Sequence, residues 1–184
     1  MKTLVVNLFS GPGAGKSTFQ AGLYWELKWK GVNVEMAMEY AKDIVYEEST
    51  KKLDNQIYVF GKQHHRMNRI NGKVDVLIAD APLILSAIYD KTNNKGFHKL
   101  ILKEMSRMEN LNIYIERNER HYDKRGRVQS TVGEAKEVDN RVKEFLDKNG
   151  VEYVTIYSAK KNLGSLVKIV MNELKKSGYK KKLK

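Results

Sequence analysis

Ser10-Gly11-Pro12-Gly13-Ala14-Gly15-Lys16-Ser17 is the stretch that decides how this chain is read. It fits the pattern G-x-x-x-x-G-K-[ST], with Ser10 in place of the first glycine. Each residue type has a chemical reason. Gly11, Pro12, Gly13, Ala14 and Gly15 form a small-residue turn whose backbone N–H groups can close around a phosphate. The helix expected to follow from Ser17 and Thr18 presents its N-terminus to the same anion. Lys16 has the reach for β- and γ-phosphates, and the Ser17 hydroxyl suits a magnesium ion. The cofactors implied are therefore ATP and Mg2+.

The flanks confirm the context. Thr3 to Phe9 is a continuous apolar run, as a strand buried on both faces requires. Ser17 to Lys30 carries Phe19, Leu23 and Leu27 on one helical stripe, and Gly31 stops it. Alternation continues to the end. Strands are predicted at Val32–Met38, Val74–Asp80, Leu111–Glu116 and Glu152–Tyr157. Helices are predicted at Asp54–Ile70, Phe97–Met108, Glu134–Lys148 and Leu163–Leu174, the first with Ile57, Phe60, His64 and Met67 inward. Five strands separated by helices imply right-handed βαβ units and a parallel sheet covered on both faces. Ligands of such sheets sit at the carboxyl ends of the strands.

The 184 residues suit one domain, read here as 1–176, followed by a basic tail at 177–184. No cysteine is present, which excludes disulfides and thiolate metal sites. Asn7 interrupts the first apolar run, so no signal peptide is expected. No run approaches the ~20 apolar residues of a membrane span, and a cytoplasmic protein without membrane contact is expected. The formal net charge of +12 favours a polyanionic partner, nucleic acid or a phosphorylated substrate, with a lysine-rich solvated surface as the alternative. A homodimer is compatible with this reading, with no face marked for it.

On the acceptor side, Asp80 ends the third strand and Glu39 the second. Either carboxylate would face an attacking hydroxyl, and Asp80 is also the natural partner of Ser17 around magnesium. Gln63 and Arg66, on the helix that carries Gln63-His64-His65-Arg66, would hold a base edge or a phosphate. Positions 117–133 form a long basic segment, read as a lid in which Arg125 and Arg127 close over the transferring group.

Together these residues resemble the thymidylate-kinase-like branch of P-loop kinases, from Lys2 to about Leu174. Phe60-Gly-Lys-Gln-His-His-Arg66 looks like that branch's acceptor-side helix, and Asn112-Ile-Tyr-Ile-Glu-Arg117 like its passage into the lid. Glu39-Tyr-Ala-Lys42 and Gly126-Arg127 also resemble ribosylnicotinamide kinases. Size and lysine content are similar to bacteriophage kinases that phosphorylate 5-hydroxymethyluracil in DNA, a step of thymidine hypermodification against host restriction. The resemblance implies the P-loop NTPase three-layer α/β fold, with its five-stranded parallel sheet in the order 2-3-1-4-5. It implies ATP-dependent phosphoryl transfer to an alcohol. The leading acceptor is a hydroxymethylated pyrimidine in DNA, in the host cytoplasm if the protein is viral. The alternatives are a free nucleoside, nucleotide or ribosylnicotinamide, or a P-loop ATPase or nucleotide-dependent binding module with no acceptor. Ala81-Pro82 follow Asp80 where many thymidylate kinases carry an arginine, which argues against an ordinary nucleoside-monophosphate acceptor.

Overall fold

The computed structural model describes residues 2–118, 128 and 131–179. Its sheet has five parallel strands in the order β2-β3-β1-β4-β5, as expected. They are β1 (Leu4–Phe9), β2 (Val34–Ala37), β3 (Val76–Ala79), β4 (Glu109–Glu116) and β5 (Val154–Tyr157). All six residues of β1 are buried, which is why it reads as an apolar run broken only by Asn7 rather than as an alternation.

The pleat of β1 divides the core into two layers. Val5 and Phe9 face a cluster with α3 (Gln56–Asn68), α4 (Leu85–Tyr89), α5 (Lys95–Ser106) and α6 (Val132–Lys148). Leu4, Val6 and Leu8 face the other cluster, with α1 (Lys16–Trp29) and α7 (Leu163–Lys176). Leu23 and Leu27 of α1 and Val170 of α7 are fully buried there. The remaining helix, α2 (Tyr40–Tyr46), lies between β2 and a 3₁₀ turn at Thr50–Asp54.

One polar residue interrupts the apolar centre. Asn7 is 1% exposed, and its Nδ2 donates to Asn110 Oδ1 (2.9 Å) and Asn112 Oδ1 (3.0 Å) on the adjacent β4. Asn110 Nδ2 in turn donates to the Met105 and Met108 carbonyls, and Asn112 Nδ2 to the Glu152 carbonyl. The ladder is satisfied by neighbours on both sides, as burial demands.

Several boundaries differ from the sequence reading for identifiable reasons. β4 starts at Glu109 rather than Leu111, because Asn110 and Asn112 hide the pairing behind polar side chains. α2 and α4 were not foreseen. α2 buries only Ile44, so it shows no stripe, and α4 is buried on nearly every side, so it shows no polar face. On α3, Phe60 and Met67 are buried as expected, but the buried face is turned toward Gln63 and away from Ile57. The buried residues are Gln56, Val59, Phe60, Gln63 and Met67, while Ile57 is 62% exposed. His64 sits at the edge of that stripe, stacked on Phe60 at 5.7 Å with Nε2 at 3.4 Å from Glu104 Oε2. α6 starts at Val132, closed by a capping box between Thr131 and Glu134. Among the described residues, no helix is long and apolar enough to cross a membrane.

Candidate functional site

The turn from 10 to 16 joins the carboxyl end of β1 to α1. Gly15 is the N-cap of α1 at φ +99°, and no side chain caps the helix. Its first-turn N–H groups are thus left for an anion. A Cβ on Gly15 would stand 2.7 Å from Ser158 Oγ, so only glycine fits both the backbone and the space. No acidic residue occupies the first turn of α1.

Lys16 is buried, and its Nζ donates to the Ser10 and Gly11 carbonyls, both at 2.9 Å. Burial pushes its ammonium pKa down, while the charges of Glu39, Asp80 and Asp139 oppose that shift. Ser17 Oγ donates to Asp80 Oδ2 at 2.7 Å. Asp80 is 1% exposed, and its other oxygen, Oδ1, has no hydrogen-bond partner. Burial raises the Asp80 pKa, and the Ser17 bond, Lys16 and Lys42 work in the opposite direction. A buried carboxylate oxygen without a partner, beside a serine hydroxyl, fits a magnesium site. The donors are hard oxygens, and they are few, as a site completed by phosphates and water requires. Among the described residues, no group of three or more His, Cys, Asp or Glu gathers into an all-protein metal cage.

From this loop a cavity of about 410 Å³ runs toward α3. Pro12, Gly13, Gly15, Lys16, Ser17 and Thr18 line one end, and Glu39 and Gln63 line it further along. Ala14 is not on its wall: it is buried at 3% exposure in the layer packed against α1. Gly11 is not on it either, because its N–H donates to Asp139 Oδ1 at 2.6 Å. Asp80 stands behind the wall, one residue before the lining residue Ala81. Val45, Leu53, Val59, Leu85 and Tyr89 give the cavity apolar sides, and Lys42, Lys91 and Arg141 add cations.

Gln63 is oriented by its neighbours. Its Oε1 accepts from Tyr40 N at 2.9 Å, the first amide of α2, while Nε2 is buried with no hydrogen-bond partner. Gln63 lines the cavity, and its Nε2 is a donor still to be satisfied. Arg66 is placed differently. It pairs with Asp43, donates to the Met38 carbonyl at 3.3 Å and stacks over the Tyr40 ring at 5.0 Å. It does not line the cavity but braces α2, because Asp43 on α2 competes for its guanidinium. Tyr40 itself shares a 2.6 Å hydroxyl contact with Tyr58, which pushes its pKa up to about 12.

Arg125 and Arg127, expected in a lid, lie outside the described residues, as does most of 117–133. Sequence reasoning passed over Tyr89, Lys91, Arg141 and Asp139. Asp139 is the only charged residue among the buried positions of α6.

The comparisons with known proteins agree with this architecture. Among solved structures, the fold matches a NadR protein in complex with NR (TM-score 0.70, 19% identity), over 98% of this chain and 53% of that one. This chain thus spans about half of that protein's length. Deoxyadenosine kinase from M. mycoides matches in two complexes. One holds the products dCMP and a flexible dCDP (TM-score 0.56, 18% identity, 94% of this chain and 99% of that one). The other holds dATP (TM-score 0.54, 17% identity, 93% and 99%). No curated protein matches in sequence. At these identities the structural matches speak for the shared P-loop fold. The family model described as an AAA domain matches residues 5–161, which is most of the chain, and the protein therefore belongs to that AAA domain family, AAA_28.

Proposed function

We propose that this chain is a kinase that moves the γ-phosphoryl group of ATP to a hydroxyl of a small nucleoside-type acceptor. The acceptor class is a free nucleoside, a nucleotide or a ribosylnicotinamide. The observation that carries this reading is the single cavity joining Lys16 and Ser17 at one end to Glu39 and Gln63 further along. A donor triphosphate on the loop and an acceptor against Gln63 would meet between them. The likeness of the fold to deoxyadenosine kinase and to a NadR protein supports a small acceptor over a polymer.

Lys16 and the loop amides would hold the phosphates, and Ser17 and Asp80 would hold magnesium. The metal's contribution is to neutralise charge on the β- and γ-phosphates. Asp80 is engaged by Ser17, whereas Glu39 lines the cavity, which favours Glu39 as the carboxylate facing the acceptor. Glu39 would take the hydroxyl proton as the acceptor oxygen bonds to the γ-phosphorus. The bond from that phosphorus to the bridging oxygen breaks, and ADP leaves. Gln63 would orient the acceptor through its Nε2, and Arg125 and Arg127 would steady the transferring group.

A second reading rests on the net charge of +12: transfer to the hydroxymethyl group of 5-hydroxymethyluracil within DNA. A duplex base would first have to leave the stack, at about a few kcal/mol. The test is γ-labelled ATP with free nucleosides, nucleotides, ribosylnicotinamide, plain DNA and hydroxymethyluracil DNA. Label on a small acceptor supports the first reading, and label on modified DNA alone supports the second. Free phosphate with no labelled acceptor refutes both and leaves an ATPase. Lys16→Ala should lower transfer by at least about 100-fold in either kinase case, as loss of a phosphate-binding donor does.

A further inference from the structure

Two side chains hold four polar atoms of the Ser10–Gly11 turn. Lys16 takes both carbonyls. Asp139, from the middle of α6, takes the other two: its Oδ1 accepts from Ser10 Oγ at 2.8 Å and from Gly11 N at 2.6 Å. Its Oδ2 accepts from Arg117 Nε at 2.7 Å, just past the end of β4. Asp139 and Arg117 are 7% and 8% exposed, so all of this takes place away from water. The turn also lies directly on α6. A Cβ on Gly11 would come 2.6 Å from the Ala135 carbonyl and 2.8 Å from Asp139 Oδ1. These contacts explain the one departure of the loop from its pattern. Serine at position 10 supplies a hydroxyl that Asp139 uses, where glycine would offer none.

We propose that Asp139 is a positioning residue for phosphate binding. It fixes the Ser10–Gly11 turn against α6, and through the two carbonyls of that turn it sets where the Lys16 ammonium stands. The inference rests on the nucleotide-binding reading above. Asp139 does not touch the nucleotide; it acts through the loop. Bonds to a charged, buried acceptor are stronger than neutral ones, so their loss is felt by the groups they hold.

The test is calorimetric binding of MgATP to wild type, Asp139→Asn, Ser10→Ala and Val142→Ala. Asparagine keeps the shape but turns an N–H group on either Arg117 or the loop donors. Asp139→Asn should weaken MgATP about tenfold or more, with the helical signal retained. Ser10→Ala keeps the Asp139–Arg117 pair and removes one loop bond, and should weaken it about threefold. Val142→Ala, at a fully buried position on the same helix, should lower the melting temperature yet leave the affinity within twofold. Wild-type affinity in Asp139→Asn overturns the inference, and so does equal weakening in Val142→Ala. If Asp139→Asn does not fold, Ser10→Ala decides: weaker binding supports the inference and unchanged binding overturns it. A wild type that fails to bind MgATP refutes the nucleotide reading itself, which is a separate result.

Discussion

Replacing Asp80 by asparagine should stabilise the nucleotide-free protein while abolishing phosphoryl transfer. Asp80 is almost wholly buried, gives one oxygen to Ser17, and has its second oxygen unpartnered. Burial is the largest influence on its pKa and raises it, so the ionised form costs the fold free energy. An unsatisfied buried acceptor costs about 1–3 kcal/mol. Asparagine keeps an oxygen for Ser17 but leaves its own N–H groups to be satisfied, so we expect a net gain of about 1 kcal/mol. In a chain of this size that corresponds to a melting temperature higher by about 2–4 °C. The sign of the pH dependence follows. A carboxyl whose folded pKa is raised costs stability above that pKa and costs nothing below its unfolded value near ~3.9. The advantage of Asp80→Asn should therefore be full above the folded pKa, and vanish as pH falls toward 4. Adding MgATP should reverse the ranking. Wild type gains about 2.7 kcal/mol at a ligand concentration 100 times Kd, and the variant gains less. Differential scanning calorimetry of both proteins, with and without MgATP, reads all of this. An Asp80→Asn protein that is less stable than wild type without nucleotide, or that retains full transfer, would refute the reasoning.

Gln63→Glu keeps an oxygen for Tyr40 N but removes the Nε2 donor from the cavity. It should raise KM for the acceptor about 10-fold or more and leave KM for ATP within threefold, measured by steady-state kinetics. Gly15→Ala forces an L-residue to φ +99° with its Cβ 2.7 Å from Ser158 Oγ, and should cost more than about 1 kcal/mol in urea unfolding and also weaken MgATP binding. Asp90 accepts from Thr92 N, Thr92 Oγ1 and Asn94 N and lies 3.0 Å from His98 Nε2; these contacts, the Thr92 hydroxyl first, lower its pKa to about 2. Asp90→Asn should cost about 1 kcal/mol at pH 7, a deficit that persists above the unfolded pKa near ~3.9 and disappears as pH falls through about 2, as acid titrations of both proteins would show.

The loop, its strand and its helix were legible in the sequence because their determinants are local: an apolar run, small residues, a lysine and an amphipathic stripe within thirty residues. The parallel sheet was legible because βαβ connections leave few topologies, and its strand order came with the resemblance to P-loop kinases. Glu39 was expected at the end of the second strand; it is the N-cap of α2, two residues past β2, and lines the cavity. The place of Arg66 was not legible, since its partner depends on α2, which has one buried residue and no periodic signal. Asp139 reads along the chain as an ordinary helical acid. It becomes part of the site only when α6 packs against a turn 128 positions earlier. Lys91 and Arg141 meet the cavity for the same non-local reason.

The asparagine ladder between β1 and β4 has a consequence for how this sheet finds its pairing. Sliding β4 by two residues along β1 would preserve which side chains face which layer, so hydrophobic matching alone cannot reject such a slip. The amides can. Asn7 would then stand opposite Asn110 or Tyr114 in place of Asn112 and keep at most one of its two bonds to β4, and each stranded amide group would cost about 1–3 kcal/mol. Three uncharged side chains thus act as a proofreading mark for the central strands, and they hold the end of β1, where the loop begins, at one fixed height above its neighbours.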